Sequence, residues 1–239
     1  MPWIYEDHLL IFIHSSFRTA STFVWSKFRA HSCATAYCEV FHEILDDMSV
    51  SKINRVDSAS WYSKHPEGAP YFLEYLPLID ERNRVVGFEP SLSYERFIPE
   101  HGPNGSISEI EVAYVRGLVE HAEARGQIPV LTATRSIGRL PGLKAVTQGL
   151  HVLLYRNIFQ QWCSYTEQAS RVGRYFLDRT IDIVRMSQHD PVMREISAMF
   201  PVKIACEKDR NTFCQFLFCT CIVTLMQHRR PTSSSISTA

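Results

Sequence analysis

The stretch His8-Leu9-Leu10-Ile11-Phe12-Ile13-His14, followed by Ser15-Ser16-Phe17-Arg18-Thr19-Ala20-Ser21-Thr22-Phe23-Val24-Trp25, decides the fold class. The first seven residues are a short apolar run between two histidines. Such a run, without polar alternation, predicts a strand buried on both faces, as in parallel sheets. Ser15–Ser21 is a small polar turn. Thr22–Arg29 reads as a helix with Phe23, Trp25 and Phe28 as its apolar residues. Strand, polar turn and helix together predict the opening of a βαβ unit.

Outward from this unit the alternation returns. A helix is expected over Glu39–Met48. Residues 50–105, rich in proline and aromatic side chains, read as a loop-rich insertion that forms a lid or substrate wall. Ile107–Arg125 is a helix, with Ile107, Ile110, Tyr114, Val115 and Leu118 on one face and Gly126 as its stop. Ile128–Thr132 is a strand, Leu140–Gln148 a helix and His151–Tyr155 a strand. Helices follow over Ile158–Ser170, Tyr175–Gln188 and Pro191–Phe200. This alternation predicts one α/β domain over residues 1–218, a parallel sheet flanked by helices. From Cys219 the composition changes, and residues 219–239 read as an atypical, low-complexity and disordered tail.

The 239 residues are 45% apolar and 21% charged, which excludes wholesale disorder and coiled coils. A formal net charge of zero gives no general attraction to nucleic acid or to an anionic membrane. The longest uncharged apolar stretch, Phe213–Met226, is too short for a membrane span. Basic residues are 19 Arg against 6 Lys. Arginine suits bidentate anion recognition, and a GC-rich gene gives the same bias. Seven cysteines, an odd number, with no secretory signal at Met1–His8, point to reduced thiols in the cytoplasm. Their spacing offers no zinc pattern, so no metal is expected.

Two stretches carry chemistry. In the turn after the first strand, a helix that opens on Ser21 and Thr22 aims free amides and its positive end at one point, and Arg18 adds a planar cation. That suits an anion such as phosphate. The Walker pattern G-x-x-x-x-G-K-[ST] is absent. The second stretch is His151-Val-Leu-Leu-Tyr-Arg156-Asn-Ile-Phe-Gln-Gln-Trp-Cys-Ser164, a strand ending in Arg with Ser two helical turns later. In a parallel sheet both strand ends share the carboxyl edge, where such sheets bind ligands.

Together, Arg18-Thr19-Ala20-Ser21-Thr22 and the Arg156/Ser164 pair resemble the sulfotransferases that use 3′-phosphoadenosine 5′-phosphosulfate. Thr134-Arg135-Ser136-Ile137-Gly138-Arg139 and Gln161-Trp162-Cys163-Ser164 are similar to a bacterial group of that kind. The resemblance covers residues 8–50 and 105–200. It implies a P-loop-NTPase-like sheet and a site in which Arg18, Thr19, Ala20, Ser21 and Thr22 hold the 5′-phosphosulfate. Arg156 and Ser164 would then hold the 3′-phosphate. One departure stands out: Ala20 replaces the family's glycine, so its methyl group either crowds the phosphate or forces φ negative. Members usually continue with further helices; a frameshift near Phe218 would account for the altered tail.

Sulfuryl transfer needs a cation near the bridging oxygen, for which Arg18 and Arg135 are candidates, and a base for the acceptor's proton. Glu39 follows Cys38 and lies 21 residues after Arg18, as a Glu does in tyrosylprotein sulfotransferases. His14, His42, Glu43 and His65 are alternatives. The implied acceptor is a hydroxyl or amine on a small molecule or glycan. Two other activities remain open: a non-catalytic nucleotide-binding protein, or a nucleotide kinase-like phosphotransferase. Without a G-x-S-x-G elbow a hydrolase is disfavoured. Trp25, Trp61 and Trp162 read as packing, Arg171, Arg174 and Arg179 as a solvated helix face, and Ser187–Asp190 as a helix end.

Overall fold

The computed structural model describes residues 9–58 and 68–222. Four parallel strands, β1 (Ile11–Ser15), β2 (Ala34–Tyr37), β3 (Ile128–Ala133) and β4 (Leu150–Leu154), lie in the order β2-β3-β1-β4. Ile11 sits between Val130 and Leu150, and Ala34 lies beside Ile128. The expected α/β class and parallel sheet are present. His8 lies outside the described residues. Phe12 and Ile13, whose side chains leave β1 on opposite faces, are both buried, so the sheet is covered on both sides.

The helices are α1 (Ser21–Arg29), α2 (Val50–Ile53), α3 (Glu109–Glu123), α4 (Leu140–Val146), α5 (Ile158–Arg171), α6 (Tyr175–Met186), α7 (Pro191–Met199) and α8 (Arg210–Leu217). Local chemistry sets their ends. Ser108, Asn157 and Asp190 side chains accept amide hydrogens at the starts of α3, α5 and α7. Beyond α3, Gly126 takes the left-handed conformation, φ 67°, as its role as a stop requires.

One expectation fails. Glu39–Met48 is not a helix: β2 precedes it, Glu39 has φ 50°, and only a 3₁₀ turn forms at Glu43–Asp46. The Val40 amide donates to Thr132 O at 2.8 Å, which ties this segment to the end of β3. Val40 and Phe41 are both fully buried.

Two hydrophobic clusters form the core. One packs the sheet against α1 and α3 and contains Phe12, Trp25, Tyr37 and Leu118. The second joins Phe17 and Ile137 to side chains of α5–α8, among them Tyr165, Leu177, Met193 and Phe216. The insertion is part of the interior rather than a cover over it. Phe72, Tyr75, Val85, Phe88 and Leu92 belong to the first cluster. Arg139 clamps it, donating from Nη2 to Leu92 O at 2.6 Å and Ser93 O at 3.1 Å while Nη1 pairs with Glu111 at 2.9 Å. Phe218 and Cys219 are buried in the second cluster. No helix among the described residues is long and apolar enough to cross a membrane.

Candidate anion-binding site

The chain leaving β1 runs to β2, and the chain leaving β3 crosses to β4, so these adjacent strands send their connections opposite ways at the carboxyl edge. Open α/β sheets bind ligands at such a point. The two segments that begin there are the Ser16–Thr22 loop and the Thr134–Arg139 turn.

In the loop Arg18 (φ 66°) and Ala20 (φ 69°) are both left-handed. Ala20 therefore adopts the glycine-like conformation instead of forcing φ negative. It caps α1 without a side-chain hydrogen bond. The amides of Arg18, Thr19, Ala20 and Ser21 donate to no acceptor among the described residues. Left-handed residues in such a turn gather amides into a concavity that suits an anion. The buried Ser21 and Thr22 hydroxyls stand at the same helix end. From α5, Gln161 Nε2 fixes the loop by donating to Ser16 Oγ and Phe17 O, both at 2.6 Å.

The distant motif meets this loop. Arg18 Nε donates to Ser164 Oγ at 2.9 Å, and Arg156 Nη1 donates to Arg18 O at 3.4 Å. Arg18 is half-buried, its guanidinium lying 5.2 Å from the Phe176 ring centroid. Burial, then Arg156, pushes the Arg18 pKa down. Among the described residues neither arginine forms an ion pair, and the Arg18 terminal nitrogens donate to nothing. Glu167 opposes the fall in the Arg18 pKa through its charge, without forming an ion pair with Arg18. A pocket of about 210 Å³ adjoins it, lined in part by Ser16, Arg156, Gln161 and Cys221.

Arg135 and Glu39 form a separate centre. Arg135 is fully buried and fully engaged at its terminal nitrogens. Nη2 donates to Glu43 Oε2 (2.6 Å), Tyr94 Oη (2.9 Å) and Tyr175 Oη (3.1 Å), and Nη1 to Thr134 Oγ1 (3.2 Å) and Glu39 Oε2 (3.4 Å). Glu39 Oε2 also accepts from the Thr134 amide at 3.0 Å and hydroxyl at 2.6 Å. Burial raises the Glu39 pKa against the pull of Arg135 and Thr134. Burial would raise Glu43 too, but Arg135 and His42 hold it down at about 2. His42 is lowered to about 3, by burial and then Arg135, although Glu43 lies 3.2 Å from its Nδ1.

The structure thus brings Arg18, Arg156 and Ser164 together, and separately Arg135 and Glu39. Between the two centres stand Phe17 and Phe176, 5.7 Å apart, with Arg135 5.1 Å from the Phe17 centroid. His14 is engaged elsewhere. Both of its ring nitrogens have partners: Nδ1 meets Ser136 Oγ at 2.9 Å and Nε2 meets His151 Nδ1 at 2.9 Å, while His151 Nε2 meets Thr147 Oγ1 at 3.2 Å. His65 and Trp61 lie outside the described residues. Trp25 is core, its Nε1 donating to Ala36 O, and Trp162 packs on Phe213 and Phe216.

Sequence reasoning missed Tyr94, Tyr175 and Phe176. No motif or spacing marks them; only the fold places them on arginines. It also took Arg179 for a solvated residue, whereas it lies over the Tyr94 and Tyr175 rings and 3.8 Å from Glu43 Oε1. No family model, no curated protein and no solved structure matches this chain.

Proposed function

We propose that the chain is a sulfotransferase that moves a sulfuryl group from 3′-phosphoadenosine 5′-phosphosulfate to a hydroxyl or amine acceptor. One observation carries this reading: Arg18, Ser164 and Arg156 converge on a loop of free amides, with no carboxylate paired to either arginine among the described residues. The all-parallel order β2-β3-β1-β4 supports the P-loop-NTPase-like arrangement that the resemblance implies.

Bound there, the cofactor supplies an activated sulfuryl group on a phosphate leaving group. The loop amides, Ser21 and Thr22 hold the phosphosulfate end, and Arg156 with Ser164 the 3′-phosphate. Arg18 would oppose the charge that builds on the leaving oxygen. Glu39, whose raised pKa favours holding a proton, is the carboxylate to receive the acceptor's proton. Arg135 keeps it oriented.

A second reading has its own support. Glu39 and Arg135 bind each other and their neighbours so fully that they fit a structural role, which favours a non-catalytic nucleotide-binding protein. Thermal stabilisation by 3′,5′-adenosine bisphosphate tests the shared part. At about 100 times its Kd the ligand adds roughly 2.7 kcal/mol. Arg18→Ala and Arg156→Ala are expected to abolish the effect. An unstabilised, folded wild type refutes both readings. Turnover with a panel of hydroxyl and amine acceptors separates them, and Mg²⁺-dependent phosphoryl transfer would instead indicate a kinase-like activity.

A further inference from the structure

We propose that Phe176, at the start of α6, is the positioning residue that presets Arg18 for its anion. This rests on the anion site proposed above. An arginine side chain free on a loop samples many rotamers, and holding it in one has an entropic cost. Here it is held on two sides at once. Ser164 Oγ takes Nε at 2.9 Å, and the Phe176 ring lies against the guanidinium at 5.2 Å from its centroid.

The geometry divides the guanidinium's work. The face of an aromatic ring attracts a cation without taking one of its N–H groups as a conventional hydrogen bond. The terminal nitrogens of Arg18 donate to no acceptor among the described residues, so they remain for a bidentate anion. Ser164 uses Nε alone. The planar fork is therefore fixed before any ligand arrives, and less freedom is lost on binding.

The ring itself is held in place. Phe176 meets Phe17 at 5.7 Å, Tyr165 at 5.6 Å and Tyr175 at 5.3 Å between centroids. Phe17 is backed by Arg135, which Glu39 and Glu43 anchor. Tyr175, one residue before Phe176, accepts from Arg135 Nη2 and donates to Glu43 Oε1 at 3.1 Å. The first turn of α6 thus joins the two arginine centres, and the Arg135 cluster serves as the footing on which Arg18 is held.

The test uses the full chain with Phe176→Leu and Phe176→Tyr, and two readouts. Calorimetric titration with 3′,5′-adenosine bisphosphate is expected to show Phe176→Leu binding about 2- to 30-fold more weakly, the range that a cation–π contact supports. Phe176→Tyr keeps wild-type affinity. The second readout needs no ligand: the Arg18 Nε–H NMR signal is shifted by the ring in wild type and loses that shift in Phe176→Leu. Equal affinity of Phe176→Leu and wild type, or an unshifted Arg18 signal in wild type, overturns the proposal. A wild type that binds no bisphosphate but shows the shifted signal refutes the sulfotransferase reading, while the hold of Phe176 on Arg18 stands.

Discussion

Ala20 sits in the left-handed region at φ 69° with its side chain exposed, so its methyl group strains the backbone and packs on little. For a non-glycine residue this conformation costs about 1–2 kcal/mol, partly offset in a glycine variant by the greater freedom of the unfolded chain. Ala20→Gly is expected to stabilise the protein by roughly 0.5–1 kcal/mol in urea unfolding. Unchanged or lower stability would refute the strain. His42 gives a pH prediction. Burial, then Arg135, keeps it neutral down to about pH 3, whereas an unfolded histidine takes a proton near 6.5. Below 6.5 the unfolded state binds more protons, so stability falls as pH drops. His14 and His151, lowered chiefly by burial, act in the same sense. The raised carboxyls of Glu39 and Glu111 act oppositely, so the measurement is a difference. Between pH 7 and 5, wild type should lose on the order of 1–2 kcal/mol more than His42→Asn. Parallel pH profiles for the two proteins would contradict this.

At the scale of elements, Arg139 fastens the insertion to the sheet. Arg139→Met leaves Glu111 buried without its partner and the Leu92 and Ser93 carbonyls without their donor. Removing one member of a buried pair costs about 3–5 kcal/mol. Limited proteolysis should show cleavage near residues 89–98 in this variant, and Arg139→Met with Glu111→Gln together should recover part of the loss. A resistant single variant would show that apolar packing alone holds the insertion. The elements differ in how legible they are in the sequence. β1 is announced by its apolar run, and α3 and α5–α7 by periodicity and caps. β2 is not: Ala34-Thr-Ala-Tyr37 has little bulk, and it is a strand because β3 lies beside it. Val40, Phe41, Ile44, Leu45 and Met48 imitate helical spacing, but the burial of Glu39 against Thr134 and Arg135 takes that backbone elsewhere. α8 overlaps the stretch Phe213–Met226, which was read only for its lack of charge.

Over the whole molecule, the candidate site joins residues far apart in the chain. Arg18 and Arg156 were legible as members of one site because each stands just beyond a strand end and β1 and β4 are neighbours, and Ser164 follows Arg156 by two helical turns. Phe176 and Tyr175 were not, because their places depend on how α6 packs, which no local pattern encodes. The sheet also predicts a gradient of protection. β1 and β3 have strands on both sides, whereas β4 lies at the edge of the described sheet and is only half-buried. In hydrogen exchange, amides of residues 11–15 and 128–133 should be among the slowest, and those of 150–154 clearly faster. Equal protection of 150–154 would mean that something covers that edge.

The position of β1 between β3 and β4 also bears on how the chain is made. The segment leaves the ribosome well before its partners, since both strands that flank it are encoded more than a hundred residues later. At about 5–20 residues per second, some 6–25 seconds pass before either is complete. Throughout that time an apolar strand waits with no lasting partner, so a newborn chain is a natural client for chaperones that shield such segments.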